Sequence, residues 1–280
     1  MNAPTIAVRS LEHRYGNREA LRVGQLTFEG GATAILGPNG SGKTTLLRLL
    51  ATVTEVQQGT VRVAGFDPTD HLERTAIRRR LGYVAQRDGL PPRMRVRAFC
   101  DYVGALKEIK SARLRRRWTG WVLDRVDLSD VANERIGTLS GGMQRRLSIA
   151  QALLGSPDML ILDEPLAGLD GKQRIEIANL LVELAKSNTV VCATHQAEEL
   201  ATLCHRVVVV DDGQPVFVGT PHDLAAHAEG RVWESETADP NATCRAVGPG
   251  RFRCVGQGIP SNQAPVPPTV ADGYLAIVRH

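Results

Sequence analysis

Apolar and polar positions along the first thirty residues, in "TIAVRSL" and "LRVGQLTFEGG", read as β-rich from Thr5 to Glu29 and predict a partly antiparallel start. The stretch "ATAILGPNGSGKTTLLRLLATV" then reads as a buried strand, a glycine-rich turn and a helix, and "GTVRVAG" and "LGYVAQ" as two further short strands. Apolar spacings of three and four across 95–128 and 141–154, carried for example by Val122, Leu123 and Val126 and by Leu147, Ala150 and Leu154, predict helices. Three strand–helix units are expected next: "MLILDE" with a helix from Lys172, "TVVCATH" with "QAEELATL", and "RVVVVDDG" with "GQPVFVG". Such alternation predicts an α/β fold with a mainly parallel sheet covered on both faces. From about Gly230 the texture turns rich in Pro, Gly, Asn and Gln, which reads as a linker or a small loop-rich appendage, before "VADGYLAIVRH" regains an apolar pattern that docks.

Composition narrows this picture only a little. A chain of 280 residues accommodates one large α/β domain with an appendage or two modest domains, and 42% hydrophobic with 23% charged residues is ordinary for a packed globular protein. No apolar run approaches the roughly 18 residues of a membrane span, so "RVVVV" and "MLILDE" are expected as buried strands, and "MNAPTIAVRS" has no secretory pattern. The five cysteines (Cys100, Cys192, Cys204, Cys244, Cys254) form no CxxC pair, and their odd number argues against a disulfide framework, which makes reduced cytoplasm the expected setting. Net charge is +4, yet His71 to Arg125 alone holds fifteen Lys/Arg against five Asp/Glu. That segment reads either as a face for nucleic acid or an anionic membrane, or as a solvated helical surface. No internal repeat is found, so each motif below occurs once.

Candidate chemistry concentrates at two strand ends. Gly37-Pro38-Asn39-Gly40-Ser41-Gly42-Lys43-Thr44, followed by Thr45, matches GxxxxGK[ST] between a strand and a helix, the arrangement that cradles the phosphates of a nucleoside triphosphate. Glycines let several N–H groups converge, the helix start adds its positive end, Lys43 reaches the β and γ phosphates, and Thr44 offers its hydroxyl to Mg²⁺. In "MLILDE" four apolar residues carry Asp163 and Glu164 to the carboxyl edge of a buried strand, where ligands of open α/β sheets bind. Asp163 suits a Mg²⁺-organising carboxylate and Glu164 a base for the attacking water; two adjacent carboxylates would repel without a cation nearby.

Taken together, Gly37 to Thr44, Gln86, Leu139-Ser140-Gly141-Gly142, Asp163-Glu164, Ala167-Gly168-Leu169-Asp170 and His195 stand in the order and approximate spacing of the ATP-binding-cassette (ABC) ATPases. The chain resembles that family over roughly residues 5 to 228. The resemblance implies a P-loop NTPase of the ABC ATPase fold over 1–228, with an N-terminal antiparallel β part, a helical signature part at about 87–155, and a C-terminal extension at 229–280. It implies ATP and Mg²⁺ as cofactors, Lys43, Gln86, Glu164 and His195 as catalytic groups, and Thr44, Gln86 and Asp163 as metal-facing groups. Tyr15 is then similar to the aromatic that stacks on adenine, Gln86 to the glutamine linking Mg²⁺ and water to the transport partner, and Asp170 to the loop residue communicating between subunits. Ser140, Gly141 and Gly142 correspond to a turn that binds the γ-phosphate held by a partner subunit, head to tail, which explains a phosphate-binding turn without a lysine. Each of Tyr15, Gln86 and His195 also fits an ordinary structural role.

Departures from the commonest family pattern are Met143 after Ser-Gly-Gly, Leu166 after Glu164-Pro165, and Gly171 after Asp170; none removes a catalytic group. Met143 with "QRRLSIAQALLGSP" and the ending "GYLAIV" look like the branch that powers ABC-2 type drug and polymer exporters. The resemblance implies a homodimer or paralogous heterodimer of ATPase subunits, peripheral at the cytoplasmic face of the cell membrane beneath a separate transmembrane permease, with no nucleic acid expected. A soluble ABC ATPase acting on nucleic acid or ribosomes is the alternative that the basic segment permits.

Overall fold

The computed structural model describes residues 5–87, 89–195 and 204–278. Its chain order begins β1 (Ile6–Tyr15), β2 (Arg18–Phe28), β3 (Gly31–Leu36), α1 (Lys43–Leu50), β4 (Gln58–Val63), α2 (His71–Arg80) and β5 (Leu81–Val84). It continues with α3 (Val96–Leu106), α4 (Ala112–Arg125), α5 (Gly141–Leu153), β6 (Met159–Asp163), α6 (Gly171–Ala185), β7 (Thr189–Thr194), β8 (Arg206–Asp211) and β9 (Gln214–Gly219). A six-stranded sheet runs in the order β5-β6-β7-β3-β8-β9, parallel except for β9.

Because successive strand residues point to opposite faces, this sheet feeds two cores at once. Ala32, Ala34, Leu36, Leu160, Leu162, Val190, Cys192, Val207 and Val209 join the helices α3 to α6 on one side. Their neighbours Ile35, Met159, Ile161, Val191, Ala193, Val208 and Val210 join α1 and a second sheet on the other. That second sheet, β2-β1-β4, is antiparallel, as expected from the N-terminal pattern. Four leucines of α1, Leu46, Leu47, Leu49 and Leu50, fill the space between the two sheets.

Two local readings change in the structure. "GQPVFVG" is not a helix but the return strand of a hairpin, because Asp212 (φ 43°) and Gly213 (φ 75°) form a two-residue turn with both residues in the left-handed region. An Asp-Gly pair favours this turn and reverses the chain at once, leaving no room for a helical crossover. Residues His71–Arg80, read from sequence only as part of a basic segment, form α2, capped by Asp70, whose side chain accepts from the Leu72 and Glu73 amides. Its apolar signal is weak because only Ile77 is buried. The helix expected over "QAEELATL" lies outside the described residues.

Much of the basic segment is engaged within the molecule. Arg78 donates to the Thr52 carbonyl at 2.7 Å, Arg80 pairs with Asp158 at 2.6 Å, Arg115 with Asp101 at 2.8 Å, and Arg125 with Glu183 at 2.9 Å. Arg146 of α5 donates to the Val126 and Asp127 carbonyls, both at 2.8 Å, closing the end of α4 against α5. Among the described residues no helix is long and apolar enough to cross a membrane.

The segment from Gly230 is more ordered than its composition implies. A short helix α7 (Pro221–Ala226) leads to an antiparallel sheet of β10 (Val232–Ser235), β11 (Thr243–Gly248) and β12 (Arg251–Val255), followed by α8 (Val270–Ile277). Cys244 and Cys254 sit opposite one another on β11 and β12 and are disulfide-bonded, a correction to the expectation drawn from the odd cysteine count. Cross-strand pairing brings two backbones within bridging range, a proximity that spacing along the chain does not reveal. Cys100, Cys192 and Cys204 are buried thiols. Asp272, fully buried in α8, accepts from Arg253 at 2.7 and 2.9 Å and from Thr269; burial pushes its carboxyl up, but these bonds outweigh it and hold the carboxyl below its usual range. The apolar tail docks as its pattern suggests: Val278 is in the main core, with Tyr274 and Ile277 packed on it.

The α7–α8 contact is a backbone one. A Cβ added at Gly273 would lie 1.8 Å from the Leu224 carbonyl oxygen. Gly273→Ala is therefore expected to lower the melting temperature by roughly 3 to 10 °C, the range for overpacking a contact of this kind. Gly258→Ala, where an added Cβ meets nothing within 4 Å, is the control and leaves melting unchanged. Equal melting curves for the two variants would contradict the close contact.

Candidate functional site

The site grows from the carboxyl edge of the parallel sheet, where β3 turns into α1. Two glycines there are required by space: a Cβ on Gly37 would lie 2.2 Å from the Val210 carbonyl oxygen, and one on Gly42 (φ 100°) 2.7 Å from the Ala20 carbonyl oxygen. Gly42 caps α1 without a side-chain hydrogen bond, the arrangement that leaves first-turn amides available to an anion. Lys43 is buried, and its Nζ donates to the carbonyls of Gly37 at 2.7 Å and Pro38 at 2.9 Å. Burial lowers its pKa, while Glu164 and Asp163 pull it back up. The ammonium is thus folded onto its own loop, beside two carboxylates.

Across from it, β6 ends in Asp163 and Glu164 follows it, both buried. Thr44 Oγ1 donates to Asp163 Oδ2 at 2.8 Å. Burial raises the Asp163 pKa; the Thr44 bond and the charges of Lys43 and Arg145 oppose this, and the neighbouring Glu164 adds to it. A hydroxyl and a carboxylate oxygen held together at a partly buried point form a hard-oxygen donor set that fits a divalent cation such as Mg²⁺. A cation there would also reverse the penalty on the Asp163 charge.

Glu164 adopts φ 53°, a left-handed conformation uncommon for a residue with a side chain. Its amide still donates to the Ala193 carbonyl at 2.9 Å. Its Oε1 accepts from the His195 amide at 3.1 Å and lies 2.7 Å from His195 Nδ1, while Thr194 Oγ1 donates to Oε2 at 3.4 Å. With the carboxylate as acceptor, Nδ1 carries the hydrogen of this contact and Nε2 is left for another partner. From behind, the buried Arg145 of α5 donates to the carbonyls of both Asp163 and Glu164 and to that of Ala85, one residue before Gln86.

A cavity of about 570 Å³ opens onto these groups, lined by Tyr15, Asn39, Gly40, Gly42, Lys43, Thr44, Thr45, Gln86, Asp163 and Glu164. Tyr15 is half exposed at the end of β1, its ring edge-on to the buried His13 at 4.8 Å. Gly37, Pro38 and Ser41 form the back of the loop rather than the lining, and His195 enters through Glu164. Sequence reasoning missed Arg18, Glu19 and Ala20 on one wall and Asp212 and Gly213 on another; all sit in or beside hairpin turns that the antiparallel pairing brings to the loop. It also missed Thr194 and Arg145, the latter inside the run Gln144-Arg145-Arg146 that follows Met143.

Ser140, Gly141, Gly142 and Asp170 are absent from the cavity lining. They gather at a separate place: Ser140 caps α5 through the Met143 amide at 3.2 Å, and Asp170 caps α6 through the Gln173 amide at 2.9 Å. A Cβ on Gly142 would lie 2.9 Å from Gln173 Oε1 and 3.5 Å from the Gly168 carbonyl oxygen, so the two capped helix starts are neighbours. Ser140, Gly141 and Asp170 are exposed there.

Comparison with known proteins agrees with this geometry. A match to the ABC transporter family spans residues 25–167. The chain is 36% identical to the Nod factor export ATP-binding protein I of Ralstonia nicotianae, over 82% of this chain and 71% of that protein. It is 37% identical to the daunorubicin resistance ATP-binding protein DrrA3 of Streptomyces coeruleorubidus, over 80% and 71%. Among solved structures it is similar to the dimeric post-hydrolysis state of the ATP-binding cassette MJ0796 bound to ADP and Pi, with a TM-score of 0.71 and 28% identity over 77% of this chain and 98% of that one. It is also similar to cbiO1 from Clostridium perfringens, part of the transporter complex cbiONQ, with a TM-score of 0.69 and 28% identity over 79% and 90%. A phosphate loop, two buried carboxylates and a remote Ser-Gly-Gly turn on this fold therefore have one common account: the chain belongs to the ABC transporter family, as an ATP-binding ATPase.

Proposed function

We propose that the chain works as one half of a head-to-tail dimer that closes on two ATP molecules and drives a separate membrane permease in export. The observation that carries this reading is the separation within one chain: Lys43, Thr44, Asp163 and Glu164 share a cavity, whereas Ser140, Gly141 and Gly142 are displayed elsewhere on a capped helix start. A turn of this kind, exposed at Ser140 and Gly141, is complementary to a phosphate that its own loop cannot bring to it. The dimeric state named for the MJ0796 cassette supports the arrangement, and the export named for the Nod factor and daunorubicin relatives supports the direction.

In this reading the adenine stacks on Tyr15 and the phosphates lie over Gly40 to Thr45. Lys43 leaves the Gly37 and Pro38 carbonyls for the β and γ oxygens, exchanging neutral acceptors for charged ones. Thr44, Asp163 and Gln86 would hold Mg²⁺, which supplies charge neutralisation at the β and γ phosphates when bound. Glu164 accepts the proton of a water whose oxygen bonds to the γ-phosphorus as the bond to the ADP oxygen breaks. His195 holds that carboxylate through Nδ1 and turns Nε2 to the γ-phosphate. Ser140, Gly141 and Gly142 complete the partner's site, and Asp170, beside Gly142's neighbour Gln173, joins the same interface. Hydrogen bonds to a charged phosphate are worth about 1.5 to 3 kcal/mol each, so a few per site close the dimer on ATP and release it after cleavage.

An equal mixture of Lys43→Ala and Ser140→Ala chains is expected to recover part of the ATPase activity missing from each alone, because a mixed dimer keeps one complete site. Recovery no greater than the separate variants would reject the shared pocket. Glu164→Gln should retain ATP binding and lose turnover by about 10² to 10⁴, the usual contribution of a general base. For the permease, affinity purification of the full chain from detergent-solubilised membranes is expected to bring down a polytopic membrane protein. A chain recovered without one, and binding RNA or DNA with a steep salt dependence, would favour the nucleic-acid class instead.

A further inference from the structure

Among the described residues, the buried guanidinium of Arg145 donates to backbone carbonyls at the ends of two adjacent strands: Ala85 at 2.7 Å, just beyond β5, Asp163, the last residue of β6, and Glu164 after it. Ala85 and Glu164 lie just past their strands and Asp163 is the last residue of β6, so the ladder is ending here and a buried carbonyl left without a donor is destabilising. A planar fork of five donors spans such a set, whereas a point ammonium or an amide does not. The fork is mounted four residues beyond Gly141, the first residue of α5, whose start is made rigid by the Ser140 cap and by Gln144 Nε2 donating to the Leu139 carbonyl at 3.0 Å. Its neighbour Arg146 ties the same helix to the end of α4. One helix therefore carries the Ser-Gly-Gly turn at its tip and, one turn later, the clamp on this chain's own Asp163, Glu164 and Gln86 segment.

We propose that Arg145 is a positioning residue that sets Glu164 of its own chain and links the two ATP sites of the dimer. Glu164 sits at φ 53°, and such a conformation persists only where surrounding bonds over-determine it. The Ala193 carbonyl holds its amide, His195 and Thr194 hold its carboxylate, and Arg145 holds its carbonyl. Because the Ser140 turn serves the partner's nucleotide, any tilt of α5 on engaging it is delivered by Arg145 to the base and to Gln86 in the chain's own site. Ligand contact at one site is thus converted into alignment of the water-activating carboxylate at the other. A misplacement of this kind costs turnover rather than affinity.

This inference rests on the head-to-tail reading, and mixed dimers separate the two. Differently tagged full-length chains are combined, recovered through both tags, and compared with a reference dimer of Lys43→Ala and wild type, which has one working site. In the first pairing, Lys43→Ala with Arg145→Gln, the working site uses Glu164 of the Arg145→Gln chain and Ser140 of the other. The expected result is a turnover about tenfold or more below the reference, with half-saturating ATP changed less than about twofold. In the second pairing, the Lys43→Ala/Arg145→Gln double variant with wild type, the substitution lies on the chain that lends only Ser140, and turnover stays at the reference. A fast first pairing with a slow second would assign Arg145 to the turn and overturn the proposal. Equal slowing of both, with a lowered melting temperature, would reduce it to fold support and also overturn it. If Lys43→Ala and Ser140→Ala chains fail to complement, the shared pocket falls and this inference with it; if they do complement and the first pairing runs at the reference rate, only this inference falls.

Discussion

Lys43 is buried against two carboxylates at the edge of a parallel sheet, and nearly every other feature of the site exists to make that burial tolerable. A desolvated ammonium needs acceptors, and the Gly37 and Pro38 carbonyls provide them only because the loop bends back on itself. The bend requires a residue without a side chain at Gly37, pressed against the Val210 carbonyl of a neighbouring strand. Asp163, in turn, stands where burial and the neighbouring Glu164 oppose its charge, with Thr44, Lys43 and Arg145 compensating in part. Such mutually dependent polar groups in a low-dielectric pocket respond strongly to any charge brought among them.

The fold supplies this pocket by dividing its labour between faces. Alternate residues of the same strands anchor the leucine-rich α1 on one side and the helices that include α5 on the other. The phosphate loop and the Ser-Gly-Gly turn are thereby mounted on opposite sides of one rigid sheet. A single chain cannot fold one onto the other without unpacking a core. The same rigidity makes Arg145 informative, since it crosses from the α5 side to the strand ends that carry the carboxylates.

At the C-terminal end a different logic holds. Composition rich in Pro and Gly argues for loops, yet three short strands form, held by a disulfide and by the fully buried Asp272 between arginines. Breaking such a buried pair is strongly destabilising, typically by about 3 to 5 kcal/mol, even though the pair as a whole adds little over apolar packing. The ion pair and the bridge compensate for an apolar cluster limited to a few side chains, Ala228, Val232 and Val255 with Val266, Leu275 and Ala276 packed on it.

What the chain's linear order determined by itself is whatever depends on neighbours in sequence: the periods of β3, α1, β6 and β7, the glycine-rich turn before Lys43, and the pair Asp163-Glu164 at a strand end. The Asp212-Gly213 dipeptide specifies a hairpin turn, yet the hairpin was missed and β9 was read as a helix because an apolar run of that length fits either period. α2 escaped notice because a helix with one buried side chain leaves no stripe. Only the tertiary structure decided which distant groups meet: Thr44 with Asp163, His195 with Glu164, Arg145 with the carbonyls of Ala85, Asp163 and Glu164, Cys244 with Cys254, and Asp272 with Arg253. Those meetings depend on strand order and on which face each residue takes, and neither quantity is local: both follow from the global packing of two cores against one sheet.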